Sequence, residues 1–198
     1  VENIKLYQEN DLFTIVPEEL FDEKEKKTYL KYVTKVKNTD FISNDNIEEL
    51  KIKNVYIPYV NINNFLVDIF KNIDYYHFNS VLIKKVFHIK NDKSFFAYVD
   101  NNKLKIIIFN KDELIFFNSY EIESETDIIY FLLLSIKEKG LEIKETQINF
   151  ILDKKNDLLL EIADKFFDNF EIINNKKFDF IYSECCLLYT SDAADELS

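Results

Sequence analysis

"SFFAYVDNNKLKIIIFNKDELIFFNSYEI", Ser94 to Ile122, decides the fold. Its period is two, with "SFFAYVD", "KLKIIIFN" and "LIFFNSYEI" as three runs of β-formers. "NN" at 101–102 and "NKD" at 110–112 separate them. Polar connections this short join neighbouring strands, so the stretch predicts an antiparallel meander. Asn tolerates left-handed backbone better than other non-glycine residues, which suits Asn101-Asn102 to the first turn.

Downstream, "SETDIIYFLLLSIKEKG" predicts a helix. Ser124 and Asp127 form a capping-box start and Gly140, the only glycine, stands at the stop. Residues 128–134 are apolar all round, which predicts burial on more than one side. "TQINFIL" reads as a strand. "KNDLLLEIADKFFDNF" reads as a helix with Leu158, Leu159, Ile162, Ala163 and Phe166 on its apolar face. "FEII" closes as a strand, and "FDFIYSE" is a further candidate strand. The order strand, strand, strand, helix, strand, helix, strand predicts a mixed sheet with helices packed on it, an α/β (α+β mixed sheet) chain. This is the order of the ribonuclease-H-like unit, which occurs twice in actin-like folds.

Upstream, "LFTIVP" is a strand ended by Pro17, and a helix is expected over about Glu23 to Lys35. "KNTDFISNDN", Lys37 to Asn46, is polar and turn-forming with no packing signal. Beyond Pro58, Asn61 is expected to cap a helix carrying Phe65, Leu66, Ile69 and Phe70. "IDYYHF" then reads as a short strand, and Asn79 or Ser80 as the cap of a second helix with Val81, Leu82, Val86 and Phe87.

Composition excludes several functions. The chain has 198 residues, 47% hydrophobic, enough for one sizeable domain or two small lobes. Its longest apolar run, Ile128 to Leu134, is too short to cross a bilayer, and no leader-like segment opens the chain. A cytoplasmic protein is expected. The net charge is −11 and all 25 basic residues are lysine. Neither a basic face nor arginine forks are on offer, so nucleic acid and anionic membranes are set aside as partners. The absence of Met and Arg, the single Gly and the abundance of Lys, Asn, Ile and Phe match codon bias in an AT-rich genome.

The last stretch differs from the rest. "CLLYTSDAADE", Cys186 to Glu196, resembles the translation of a sequencing adapter. It brings Asp192, Asp195 and Glu196 and no lysine, so without it the net charge is −8 rather than −11. Cys185-Cys186 is then no metal or redox pair. The expected organisation is the end of a first lobe with connecting helices over 1–89, a second lobe over 90–185, a non-native tail over 186–198, and truncation at both ends.

"FTIVPEELFDEKEKKTYL", "NVYIPYVNINNFLVDIF" and "FFNSYEIESETDIIYFLLLSI" together resemble a bacterial family of unknown function with a predicted actin-like ATPase (ASKHA) fold. The resemblance covers roughly residues 6 to 180. It implies a ribonuclease-H-like, actin-like architecture and carries no assigned activity. Such ATPases grip phosphates with two Asp-x-Gly hairpins, whose glycine admits backbone amides to the phosphate and whose acid organises Mg²⁺. Here Asp100 falls at the acid position and Asn101-Asn102 follow, with Asn102 where glycine would stand. The alternatives are a worn phosphate loop and a plain hairpin turn ending in an acid, and the second is preferred because Asp is common at turns. The fold group also places two glycines after the strand that reaches the adenosine. Leu152, Asp153 and Lys154 stand there instead, and their side chains would fill space the purine and ribose need.

No metal site is expected. His77 and His88 lie eleven residues apart without a matching cysteine or carboxylate pattern. Tyr56 and Tyr59 of "YIPY" flank Pro58 and have two readings, an interface with another protein or an anchor of the loop on the core. The expectation is a non-catalytic actin-like module that binds a protein partner, with no cofactor. The alternative is an ATP- and Mg-binding ATPase or small-molecule kinase using Asp100, Asn101, Asn102 and Asp153. A third option is an assembly role like that of pilus-associated actin-like proteins.

Overall fold

The computed structural model describes residues 4–70, 73–152 and 154–173. The expected strand over "FDFIYSE", both cysteines and the adapter-like tail lie outside these residues, as does Asp153. The chain divides into two compact units between Lys85 and Val86.

In the first unit, β1 (Ile4–Gln8) pairs in parallel with β5 (Ile73–His77). A separate antiparallel sheet has the order β2-β4-β3, built from β2 (Phe13–Pro17), β3 (Ser43–Ile47) and β4 (Ile52–Tyr56). Helix α1 (Lys26–Lys31) contributes Leu30 to a core with Val16 and Val55. It is shorter than expected. Glu23–Glu25 form a 3-10 turn capped by Asp22, and beyond Leu30 the residues Tyr32 and Val33 are exposed, so no buried face extends the helix to Lys35.

Strand β3 contradicts the expectation for Lys37 to Asn46. The segment Ser43–Ile47 is poor in β-formers, but β4 offers a complete ladder and Ile47 is fully buried against it. Tertiary pairing overrides local propensity here. Helix α2 (Val60–Ile69) starts one residue before Asn61, with Tyr59 at the N-cap position and no side-chain cap. Helix α3 (Phe78–Ile89) starts directly after β5, which puts Asn79 and Ser80 inside its first turn rather than at its cap. His77 takes that role: its ring Nδ1 accepts from the Asn79 N–H at 3.2 Å.

The second unit holds one five-stranded sheet of order β10-β9-β6-β7-β8. Strands β6 (Lys93–Asp100), β7 (Lys103–Asn110) and β8 (Glu113–Glu121) form the expected meander. Strand β9 (Ile148–Leu152) adds in parallel to β6, and β10 (Phe170–Ile173) in parallel to β9. Both turns of the meander place a non-glycine residue at positive φ, Asn101 at 47° and Lys111 at 51°.

Helices α4 (Glu125–Glu138) and α5 (Asp157–Phe166) join one face of this sheet. Leu104, Ile106 and Ile108 of β7 meet Ile128, Leu132 and Ile136 of α4 and Leu159 and Ala163 of α5. On the other face Phe109 meets Phe96 and Phe87 edge to face, with centroids 6.2 and 5.8 Å away. The capping box of α4 is complete: Ser124 Oγ accepts from the Asp127 N–H, and the Asp127 carboxylate accepts from the Ser124 N–H. Those donors, with the Glu123 N–H first, hold the Asp127 carboxyl below its usual range. Helix α4 buries one face, Ile128, Ile129, Leu132, Ser135 and Ile136, rather than the several sides expected; Phe131 stacks on Tyr120 with centroids 4.1 Å apart, and Tyr130 faces solvent. In α5, Leu158 and Phe166 are exposed, so two of its five expected core residues point outward. Gly140 ends the α4 segment at φ 62°.

Candidate functional sites in each unit

In the second unit, β6 and β9 run side by side in parallel and their carboxyl ends open at the point where strand order reverses. Ligands of open α/β sheets sit at such a point. A cavity of about 320 Å³ lies there, lined by Val99, Asn101, Leu152, Lys154, Lys155, Asn156 and Asp157. Asp100 closes β6 opposite Lys103 and is only 7% exposed. The Asn102 carbonyl accepts from the Ile122 N–H at 2.8 Å, which ties the turn to the end of β8. Asn156 caps α5 by accepting from the Leu159 N–H at 3.0 Å, and its amide donates to Glu125 at 3.1 Å. That bond holds the Glu125 carboxyl below its usual range. Lys155 pairs with Asp157 at 2.5 Å, both well exposed.

Three features of the described residues count against a magnesium nucleotide. Asp100 is buried, and Asn102 carries a side chain at the position where the phosphate hairpin would have glycine. Leu152 lines the cavity with hydrocarbon. Among the described residues no group of three or more His, Cys, Asp or Glu gathers as a metal site.

The first unit contains a polar constellation that the sequence did not reveal. Asp45 points inward from β3 and is buried. Its Oδ1 accepts from the Tyr56 hydroxyl at 2.9 Å and its Oδ2 from the His77 backbone N–H at 2.7 Å. The Ser80 hydroxyl is also bonded to it, and Ser80 Oγ accepts from Asn54 at 2.9 Å. Burial raises the Asp45 pKa above the ordinary value, and the three donors and the Lys84 charge oppose the rise. Burial, then the Asp45 charge, pushes the Tyr56 phenol well above its ordinary value. A second cavity, also of about 320 Å³, opens above Asp45 and is lined by Lys5, Tyr7, Asn46, Tyr76, Ser80, Lys84 and Lys85 among others.

His77 is a framework residue. Its Nε2 faces the Asn10 carbonyl at 3.1 Å, so the proton sits on Nε2 and Nδ1 is free to accept from Asn79. The ring lies 5.1 Å from Phe13 and 5.0 Å from Tyr56. His88 is exposed.

The structure chooses between the two readings of "YIPY". Tyr56 belongs to β4 rather than to a loop and is 0% exposed, so it is an interior residue and not an interface residue. Tyr59 is half-buried; its hydroxyl donates to the Glu9 carbonyl at 2.9 Å and its N–H to Gln8 at 3.1 Å. The tyrosines hold the segment around Pro58 on the fold. Asp45, Ser80 and Lys84 had one weak signal, the i, i+4 spacing of Ser80 and Lys84 on an expected helix. Nothing in "ISNDNI" marked Asp45 as an inward residue.

The fold places the protein among those with an actin-like ATPase fold. A crystal structure of a protein with actin-like ATPase fold and unknown function from Bacteroides thetaiotaomicron VPI-5482 superposes with a TM-score of 0.79 at 18% identity, covering 90% of this chain and 72% of that one. At that identity the likeness concerns the fold alone. Residues 2–170 match the family described as "Protein of unknown function (DUF3822)", and the chain belongs to that family. No curated protein matches the chain. Among the described residues no helix is long and apolar enough to cross a membrane.

Proposed function

We propose that this chain is a non-catalytic actin-fold module that engages another protein. The observation that carries the non-catalytic reading is Asp100, the residue at the acid position of the phosphate hairpin, which is buried at 7% exposure. The partner-binding reading is supported by α2. Its one fully buried residue is Asn63, hydrogen-bonded to the Gln8 side chain, while Phe65 and Ile69 are 64% and 54% exposed. A helix that turns its amide inward and its hydrocarbon outward has an apolar face suited to a protein surface.

Titration of the protein with Mg-ATP by calorimetry, repeated with Lys154→Ala, tests the first half, with no saturable heat that depends on Lys154 expected. Micromolar binding that Lys154→Ala weakens rejects it. A photo-crosslinker at position 65 tests the second half in cells; a discrete adduct that Ile69→Ser abolishes is expected, and its absence removes the interaction reading.

A second reading, an ATP-binding protein using Asp100, Asn101, Asn102 and Asp153, is favoured by one observation, the cavity at the carboxyl ends of β6 and β9. Saturable Mg-ATP binding weakened by Lys154→Ala would establish it in place of the first.

A further inference from the structure

We propose that the cavity of the first unit binds a small multivalent oxyanion of the phosphate type, held by Lys5 and Lys84. On a chain with net charge −11, three of the cavity's nine lining residues are lysines, supplied by two separate elements. Lys5 comes from β1, Lys84 and Lys85 from α3. Among the described residues the ammonium groups of Lys5 and Lys84 make no ion pair or hydrogen bond with the protein, although Lys84 feels the Asp45 charge. Two such ammonium groups lining one concavity repel one another, and an anion of two or more charges relieves that repulsion.

The one carboxylate in the lining, Asp45, feels the Lys84 charge but makes its hydrogen bonds elsewhere. Asp45 is satisfied from the protein side by Tyr56, His77 and Ser80. Asp74 stands opposite Lys5 in the β1–β5 register but does not line the cavity. The volume of about 320 Å³ is at the lower end for ligand pockets, which sets the size of the guest. Tyr7 and Tyr76, with ring centroids 6.1 Å apart, form one wall and give an organic phosphate an apolar surface beside the charge. The inference is independent of the reading of the second unit, where a different cavity and different lysines are involved.

The test is calorimetric titration of the full chain with pyrophosphate at fixed ionic strength, repeated with Lys84→Gln and Lys5→Ala. Lys84→Gln keeps most of the aliphatic stem, so the fold is retained, and a circular dichroism spectrum confirms this. Saturable binding is expected, weakened by about tenfold or more in either variant, the usual cost of losing one charged hydrogen bond. The parallel arm is Lys154→Ala. If that variant removes binding and the other two leave it intact, the anion belongs to the second unit and the proposal is overturned. Binding that is absent, or that falls equally with all three, overturns it as well.

Discussion

Strand β7 of the second unit and strand β3 of the first make a useful pair. Strand β7 carries Leu104, Ile106 and Ile108 to one face and Ile107 and Phe109 to the other, all buried. Strand β3 carries Ile47 inward and, two residues earlier, Asp45. The same contrast runs through each unit. Around β7 the interior is mostly hydrocarbon, although Lys105 of β7 and Ser135 are buried there, whereas around β3 it includes Gln8, Asn10, Asn54, His77, Asn79 and Ser80. An apolar interior tolerates many arrangements of similar volume. A polar one requires each donor to meet its acceptor, and so specifies its geometry more narrowly.

The sharpest way to break this comparison is to remove hydrocarbon from the second unit. Phe150 lies fully buried in β9, with its ring 5.9 Å from Phe170. Phe150→Ala is expected to cost about 3–5 kcal/mol in chemical denaturation, the largest effect considered. In the first unit the matching perturbation deletes one oxygen. Tyr56→Phe leaves the buried Asp45 short of a donor and is expected to cost about 1–3 kcal/mol, with almost no change in volume. A cost near zero would mean that Asp45 is not held by Tyr56.

Smaller effects run in the opposite direction. Lys51 in the first unit and Lys111 in the second both take φ 51°. Left-handed backbone costs a residue with a Cβ about 1–2 kcal/mol, and glycine returns about 0.5–1 kcal/mol of that through greater freedom when unfolded. Lys51→Gly and Lys111→Gly are each expected to stabilise by about 0.5–1 kcal/mol on balance, seen as a raised denaturation midpoint. The smallest effect separates the units by sign. Asp45 has a raised pKa in the fold, so it takes up a proton more readily folded than unfolded. Its contribution to stability therefore grows as pH falls through its folded pKa toward the ordinary carboxylate value. Glu125 has a lowered pKa, so its contribution is present above the ordinary value and is lost as pH falls through its folded pKa. The Tm advantage of the wild type over Asp45→Asn should increase on acidification, while its advantage over Glu125→Gln should shrink.

How far each unit could be read from sequence follows from the same contrast. The meander, the capping box at Ser124 and Asp127 and the stop at Gly140 were legible because period, turn chemistry and cap chemistry agree there. Strand β3 was not legible, because "SNDNI" has turn composition and becomes a strand only through its ladder with β4. For the candidate sites, the side chains at Asn102, Leu152 and Lys154 could be foreseen. The inward turn of Tyr56 and the convergence of Asp45 with Lys5 and Lys84 could not, since those contacts join residues far apart in the chain. Helix α2 misleads for a related reason: its apolar residues suggest a core face, yet Asn63 is the one turned inward.

Asn156 has a consequence for motion. Its carbonyl oxygen caps α5 while its amide reaches the first turn of α4 at Glu125, so one planar group latches two helix starts together. Fraying at either start is thereby linked to the other. Amide exchange at the beginnings of α4 and α5 should accelerate in step when position 156 loses its side chain, as though a shared clasp had been undone.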